Sequence, residues 1–572
     1  MLVSDLLGLS IVFDQPPSML DKVPTEIILD SLFPLLSPRD ILAIGSSSRS
    51  LHALILDALI WKRKLSAQTK YIALRVLTQS SQSHNLDWQR IYKRALSPQL
   101  YVWGVATNGR LGIDFHDPRI ARGNCVPTPI PIRTGIDLVQ VVAGGWSFHA
   151  LGRNGQVVFW GQFNGDIVPF GHVDYRNPGA RVATPSTLDL PFRTVDMSAG
   201  RAHILLTDDK GRVYQSISPA LTQRITHACL ENDAIAQISA GWTHSALLLT
   251  SGAILVFWPH DCLLREEYRV AHDAGPRQHA HGRADGAGGR RTILASVFDY
   301  TPDAVTLPHI PGQSVAQIAN AEDAMLALTA SGRVYRMDLS TRRGLRGSER
   351  VRDMHEMFLD GSRRWNELTH FAPENLRKLL PDGDEAPHLS HITCSFRQFT
   401  LYAPSIHRNF AVFAGDATRD DSQPTLVGLD NVVDVARGDY HALALTRDGH
   451  VRAWGSQKGG KLGVNGLDHL RDGDVSDPLP VSFKSDGEGD GGTRKRFFAF
   501  SVAAAGWHSA ALVIDLEGDD GDGEEYEQEQ GNENEEEQKG QQDEQPEANS
   551  LTQHAYSFVQ RFTGMRTGMT QR

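Results

Sequence analysis

The 572-residue sequence predicts a multidomain chain: a small all-α unit, then an all-β seven-bladed propeller, then a disordered acidic C-terminal tail. Three observations predict it. Between about Leu20 and Ala95 glycine is confined to Gly45, and apolar residues recur at three- to four-residue steps. From Tyr101 to about Asp515 a hairpin-forming pattern repeats. Beyond Leu516, Glu, Gln, Gly and Asn displace apolar residues, leaving too little to bury. The boundaries expected are 1–19 for an extension, 20–65 for the first helical unit, 66–100 for a helical linker, 101–515 for the propeller and 516–572 for the tail.

In the helical unit, Ile27, Ile28, Leu32 and Leu35 are followed by Ile41, Leu42 and Ile44, then by Leu51, Leu54, Ile55 and Leu59. Ser37-Pro38-Arg39-Asp40 reads as a helix start, with Ser at the cap and Pro at the first helical position. Helices are expected near 24–34, 38–46 and 48–58, with more helix through Trp88 and Tyr92. Helices this short are marginal alone and need packing or a partner.

The repeat has two halves. The first is a small-residue pair, two variable positions that often include His, then an apolar run: Ala199-Gly200 with His203, Ala240-Gly241 with His244, Arg437-Gly438 with His441, Ala504-Ala505 with His508. The second follows an x-Gly turn, as in Asn154-Gly155 running to Trp160-Gly161 and Asp448-Gly449 running to Trp454-Gly455. First halves fall near Gly145, Gly200, Gly241, Asn320, Cys394, Gly438 and Ala505, those at Asn320 and Cys394 being degenerate. Tyr101 to Gly112 is a second half with no first half before it, and Val502 to Ile514 a first half with no second half after it. A linear stack has no reason to split a unit in this way. A closed ring does, because joining the halves completes the last blade and removes open edges. Long inserts at about 163–190, 259–312, 338–388 and 466–500 are expected as loops on the propeller faces.

Composition excludes several function classes. No run of about 18 uncharged apolar residues is present, as a membrane-spanning helix requires, and the apolar N-terminus lacks the basic start of a secretory signal. Cys125, Cys229, Cys262 and Cys394 are far apart, which suits buried thiols in a reducing compartment, cytoplasmic and/or nuclear, better than disulfides or a zinc site. The net charge of -11 is concentrated in the tail: Glu517–Glu547 holds 15 acidic residues and one lysine, a net -14, so the rest of the chain carries +3. The tail is expected to be a solvated run that aids solubility; a screen against nucleic acid or a lure for a basic partner is the alternative.

Two stretches carry a family resemblance. "AGWTHSALLLTSGAILVFW" and "ARGDYHALALTRDGHVRAWGSQKGGKLG" resemble the regulator-of-chromosome-condensation repeat, specifically in four blades and weakly in three. That resemblance implies a seven-bladed propeller with a split final blade. "LDKVPTEIILDSLFPLLSPRDILAIGSSSRSLHALILDALIWKRKL", Leu20 to Leu65, resembles an F-box: Pro24 with Glu26 and Ile27, Asp40 with Ile41 and Leu42, Arg49 with Leu51, and Trp61. Its departures are one extra residue between Glu26 and Asp40, and Ser47-Ser48 where Val and Cys are frequent. The resemblance implies binding to a Skp-family adaptor and, through it, to cullin and RING subunits of a ubiquitin ligase. Leu20, Pro24, Ile27, Leu42, Leu51 and Trp61 are the expected contact or support residues. Against this stands the bland reading of apolar residues that merely pack a local bundle.

The propeller is expected to hold an unknown protein substrate for ubiquitination and degradation. Trp146, Trp242 and Trp507 enter their blades on loops and are candidate anchors, whereas Trp103, Trp160, Trp258 and Trp454 end hairpins and are expected in the core. The repeated histidines are expected to be satisfied within the fold, each capping a strand or bonding a neighbouring blade. Arg290-Arg291 and Arg342-Arg343-Arg346 are basic enough to meet phosphates or the tail. No catalytic motif, cofactor loop or metal set occurs, so a non-catalytic receptor with no cofactor, metal, membrane or nucleic-acid partner is expected. The alternative is a propeller acting as a small-GTPase exchange factor or docking on chromatin; an F-box protein that only sequesters its partner is a third reading.

Overall fold

The computed structural model describes residues 23–79, 86–121, 123–165, 174–275, 291–342, 344–380, 388–404, 411–464, 466, 474–484 and 496–517. Leu20, Arg290, Arg343 and the tail from 518 lie outside these residues.

The N-terminal unit is helical wherever apolar spacing called for it. One continuous helical stretch, Thr25–Ile27 followed by Ile28–Leu32 and Phe33–Leu35, leads to helices Pro38–Gly45, Arg49–Ile55 and Ala58–Gln68. Ser37 caps the second of these, its Oγ accepting from Asp40 N–H at 3.2 Å, and Ser48 caps the next by accepting from Leu51 N–H. Gly45 lets helices Pro38–Gly45 and Arg49–Ile55 meet, because a Cβ there would overlap the Ile55 side chain. Helices Ile72–Gln79 and Trp88–Leu96 then reach the propeller. A single apolar core runs from Ile28, Phe33 and Ile41 through Trp61 and Trp88 into Leu100, Val102 and Leu512.

Seven sheets form the ring. The first blade takes strands Leu138–Ala143, Ser147–Gly152, Val157–Gly161 and Val182–Asp189; the last takes Phe497–Ala505 and His508–Asp515 from the C-terminus, with Gln99–Val105 and Cys125–Ile132 from the N-terminus. Closure rests on an antiparallel pairing of Gln99–Gly104 with Val513–His508 in continuous register. Both degenerate repeats, at Asn320 and Cys394, form complete four-stranded blades.

The inserts differ from the expectation of face loops. The first and last contain outer strands, Val182–Asp189 and Asp474–Val481, and the middle two contain Ala304–Thr306 and Asn366–Glu367. The 259–312 insert also returns across two other blades. Thr292–Leu294 pairs in parallel with Thr187–Asp189 of the first blade, and Ser296–Tyr300 pairs in parallel with Leu221–Ile225 of the second. This strap satisfies backbone groups on two sheet edges that would otherwise lie open.

Candidate functional site

Each blade's first and second strands are joined by a short loop at one end of the ring, and these loops hydrogen-bond to one another in sequence. Gly145 N–H donates to Arg201 O, Arg201 N–H to Gly241 O, Trp242 N–H to Ala321 O, Glu322 N–H to Phe396 O and Asp439 N–H to Gly506 O. The repeat's Trp-Gly pairs position the loops. Gly161, Gly455 and Gly104 have φ of 98°, 100° and 108°, and a Cβ at each would collide with the carbonyl oxygen of Trp146, Tyr440 or Trp507. Those carbonyls accept from the next residue along, Gln162, Ser456 and Val105, at 3.0, 2.8 and 2.9 Å.

The collar so formed surrounds a cavity of about 1180 Å³ at the mouth of the ring, and a smaller space of about 260 Å³ continues along the axis. Trp146, Trp242 and Trp507, far apart in sequence, all line the mouth with Phe396 and Tyr440. Trp242 packs on Phe396 with ring centroids 4.3 Å apart, Phe396 on Tyr440 at 5.8 Å and Tyr440 on Trp507 at 6.5 Å. Between Trp242 and Trp146 stands Arg201, its guanidinium 4.0 Å from one ring centroid and 4.9 Å from the other. Lys461 Nζ lies 5.0 Å from the Trp507 centroid and 5.3 Å from Tyr440, and Lys458 Nζ 5.8 Å from Trp507.

The mouth holds one carboxylate among these cations. Burial pushes Asp439 up to about 6 against the pull of Arg201, Lys461 and Arg110. Burial also lowers Lys461 to about 8 and Arg110 to about 10. Arg397 and Glu322 pair with each other at 2.9 Å on the rim.

The buried histidines stitch blades together. His203 Nε2 meets Ser245 Oγ at 2.8 Å, His244 Nε2 meets Asn320 Oδ1 at 3.2 Å, and His441 Nε2 meets Ser509 Oγ at 2.8 Å. His508 Nε2 meets Ser147 O at 3.1 Å, across the closure. Each bond reaches the neighbouring blade. Trp103, Trp160, Trp258 and Trp454 are buried at hairpin ends. Of the basic insert residues, Arg342 pairs with Asp353.

At the opposite end of the strands sits the helical unit. Tyr71 Oη donates to Val139 O at 2.6 Å and stacks edge-on with Phe500; Arg94 Nη1 donates to Asp515 O at 2.5 Å, and Arg153 Nη2 donates to Leu96 O at 3.1 Å. The expected adaptor residues divide by exposure. Pro24 is exposed, and Ile27 and Leu42 are 51% and 38% exposed. Leu51 and Trp61 are buried, Trp61 Nε1 donating to Ile55 O at 2.7 Å while its ring packs on Tyr92. Leu35, Leu56 and Leu59 add further exposed apolar surface to this unit.

Comparison with known proteins adds to this geometry. The regulator of chromosome condensation repeat family matches residues 432–460, in the sixth blade. SCF-associated factor 1 of Saccharomyces cerevisiae is 30% identical over 143 residues, covering 22% of this chain and 20% of that protein. F-box protein pof9 of Schizosaccharomyces pombe is 24% identical over 515 residues, 85% of this chain and 88% of pof9. The chain has the layout of an F-box protein with regulator-of-chromosome-condensation repeats. It thus spans a fifth of the first relative's length and most of the second's. The crystal structure of Prp20p from Saccharomyces cerevisiae aligns with 76% of this chain and 95% of its own at a TM-score of 0.46 and 15% identity.

Sequence reasoning missed Arg201, Phe396 and Tyr440 at the mouth and Lys461 beneath its lining. Arg201 follows Gly200 as Trp242 follows Gly241, so aligning the repeats column by column would have placed it.

Proposed function

We propose that this F-box protein is the substrate-recognition subunit of a Skp–cullin–F-box ubiquitin ligase, acting without bond chemistry of its own. Pro24, Ile27 and Leu42, with Leu20, meet a Skp-family adaptor, and through it cullin and RING subunits; Leu51 and Trp61 hold the helices that carry them. The propeller mouth, with Trp146, Trp242 and Trp507, holds the target. Catalysis is then positional: a bound target is kept at high effective concentration near the charged conjugating enzyme.

The observation that carries this reading is the exposure of Pro24, Ile27 and Leu42, together with that of Leu35, Leu56 and Leu59, on a helical unit fused by one core to the propeller. Exposed apolar side chains on short helices suit helix-in-groove recognition. The test is co-purification with a Skp-family adaptor of the wild-type chain and a Pro24→Ala/Ile27→Asp/Leu42→Asp variant. The expected result is adaptor retained by the first and lost by the second, with unchanged melting. Equal retention, or none by either, rules the reading out and turns attention to small GTPases and chromatin.

A further inference from the structure

Arg201 and Lys461, like Lys458 near the mouth, make no hydrogen bond or ion pair through their charged groups with any described residue. Both are held by ring faces alone, Arg201 against Trp146 and Trp242 and Lys461 against Tyr440 and Trp507. Lys461 is 1% exposed, so its ammonium has given up most of its water without gaining an acceptor. Arg110, 5% exposed, reaches only neutral acceptors, Thr107 O and Oγ1, Asn108 Oδ1 and Gly145 O. Arg110, Arg201 and Lys458 line the mouth with Asp439, and Lys461 lies beneath the lining, against Tyr440 and Trp507. Asp439 is the one carboxylate among the described residues lining the mouth, and a lining with more cations than carboxylates is built to have a further anion supplied.

The arrangement narrows what supplies it. The cations are spaced around the ring, on the second blade (Arg201), the sixth (Lys458 and Lys461) and the seventh (Arg110), with aromatic faces between them. Spaced single charges match single carboxylates distributed along a chain, whereas a phosphate dianion is read by several donors converging on one point. The flat edge of a guanidinium stacked on two indoles is free to meet a carboxylate in bidentate fashion. The aromatic faces accept the side-chain stems and backbone of the same segment. We propose that the mouth binds an extended peptide segment rich in Asp and Glu, so that an acidic stretch is what marks a protein as this receptor's target. This rests on the mouth being the target site. It is separate from the adaptor question, which the co-purification above answers alone.

The probe is a short alternating Glu-Gly peptide, titrated by tryptophan fluorescence into the full chain and into a chain ending at Glu517, which keeps every described strand. The Glu517–Glu547 run is the same chemistry tethered in cis. Binding to both chains, or tighter binding to the shorter one, supports the proposal, the second outcome making the tail a competitor. An Arg201→Gln/Lys458→Gln variant is expected to weaken the peptide roughly tenfold or more, as loss of charge-assisted bonds predicts, and Arg201→Lys/Lys458→Arg to keep part of it. Arg63→Gln, whose partner Asp30 lies in the helical unit, leaves binding unchanged and controls for net charge. The proposal is overturned if the matching Gln-Gly peptide binds the shorter chain as tightly. It is equally overturned if only a phosphoserine-Gly peptide binds, or if the double variant melts like wild type and still binds the Glu-Gly peptide. A target captured through Trp242 but not displaced by the Glu-Gly peptide keeps the mouth as target site and rejects only the acidic chemistry.

Discussion

Ile27 and Leu42 each have an inward neighbour, Ile28 and Ile41, that is essentially fully buried, so substitution separates binding from stability. Leu42→Asp is expected to abolish adaptor capture while leaving the melting temperature within a few degrees of wild type. Leu51→Ala, which empties a packed site, is expected to cost about 2–5 kcal/mol in denaturant titration. The blade-bridging histidines predict an acid-sensitive ring. Unfolded, an imidazole takes up a proton near pH 6.5; folded, burial holds His244 to about 4 and His508 to about 3, with His203 and His441 also well below normal. The unfolded state therefore binds more protons in that window, so this stabilisation is complete above pH 6.5 and declines as pH falls. Asp434 and Asp439, raised to about 6, and Asp261 and Asp323, also raised by burial, act in the opposite sense, while His149 and His260, held to about 3 and about 4, add to the histidines' side. Melting temperature should fall from pH 7 to pH 4.5, and His244→Gln should flatten the slope. These histidines were legible because the repeat sets them in register. Lys461 stands in a repeated column as well, Gly460-Lys461-Leu462-Gly463 matching Gly109-Arg110-Leu111-Gly112; what the sequence did not show is that the next blade's Trp507 packs on it.

Among the elements, the closing blade is the one whose two halves are furthest apart in the chain. Val102 is paired on both sides, with Ile130 and with Ala510. Val102→Pro removes a ladder donor at the centre of that sheet and should cost about 3 kcal/mol or more, read as a lowered denaturation midpoint. The outer strands show why sequence resolved inner elements better than edges. Cys125–Ile132 contains Pro127, Pro129 and Pro131, Val182–Asp189 contains Pro185, and Asp474–Val481 contains Pro478 and Pro480. Proline breaks the strand signature, yet an edge tolerates it and gains protection from pairing with another chain. So Val182–Asp189 and Asp474–Val481 read as inserts. The Thr292–Leu294 and Ser296–Tyr300 pairings were hidden for another reason: parallel partners about a hundred and about seventy-five residues away leave no turn to read.

For the molecule as a whole, the mouth and the N-terminal helical unit lie at opposite ends of the strands. His508 follows Trp507 of the mouth and Asp515 lies against Arg94, seven residues and about 24 Å apart at the usual strand rise. The bridging helices are packed rather than tethered, which fixes where a bound target is presented. A flexible Gly-Ser insertion after Ser97 is therefore expected to leave adaptor capture and mouth binding intact while slowing ubiquitin transfer in a reconstituted assay.

The strap also imposes a timetable on synthesis. The first two blades are complete in sequence by Ile225, yet the residues that cover their outer edges, 292–300, leave the ribosome about seventy residues later. At typical elongation rates that is a delay of several seconds, during which two bare sheet edges are accessible in the nascent chain. Gln99–Val105 waits far longer, until the last strand emerges. Nascent-chain chaperone occupancy should rise as the first two blades emerge and drop once residue 300 has cleared the exit tunnel.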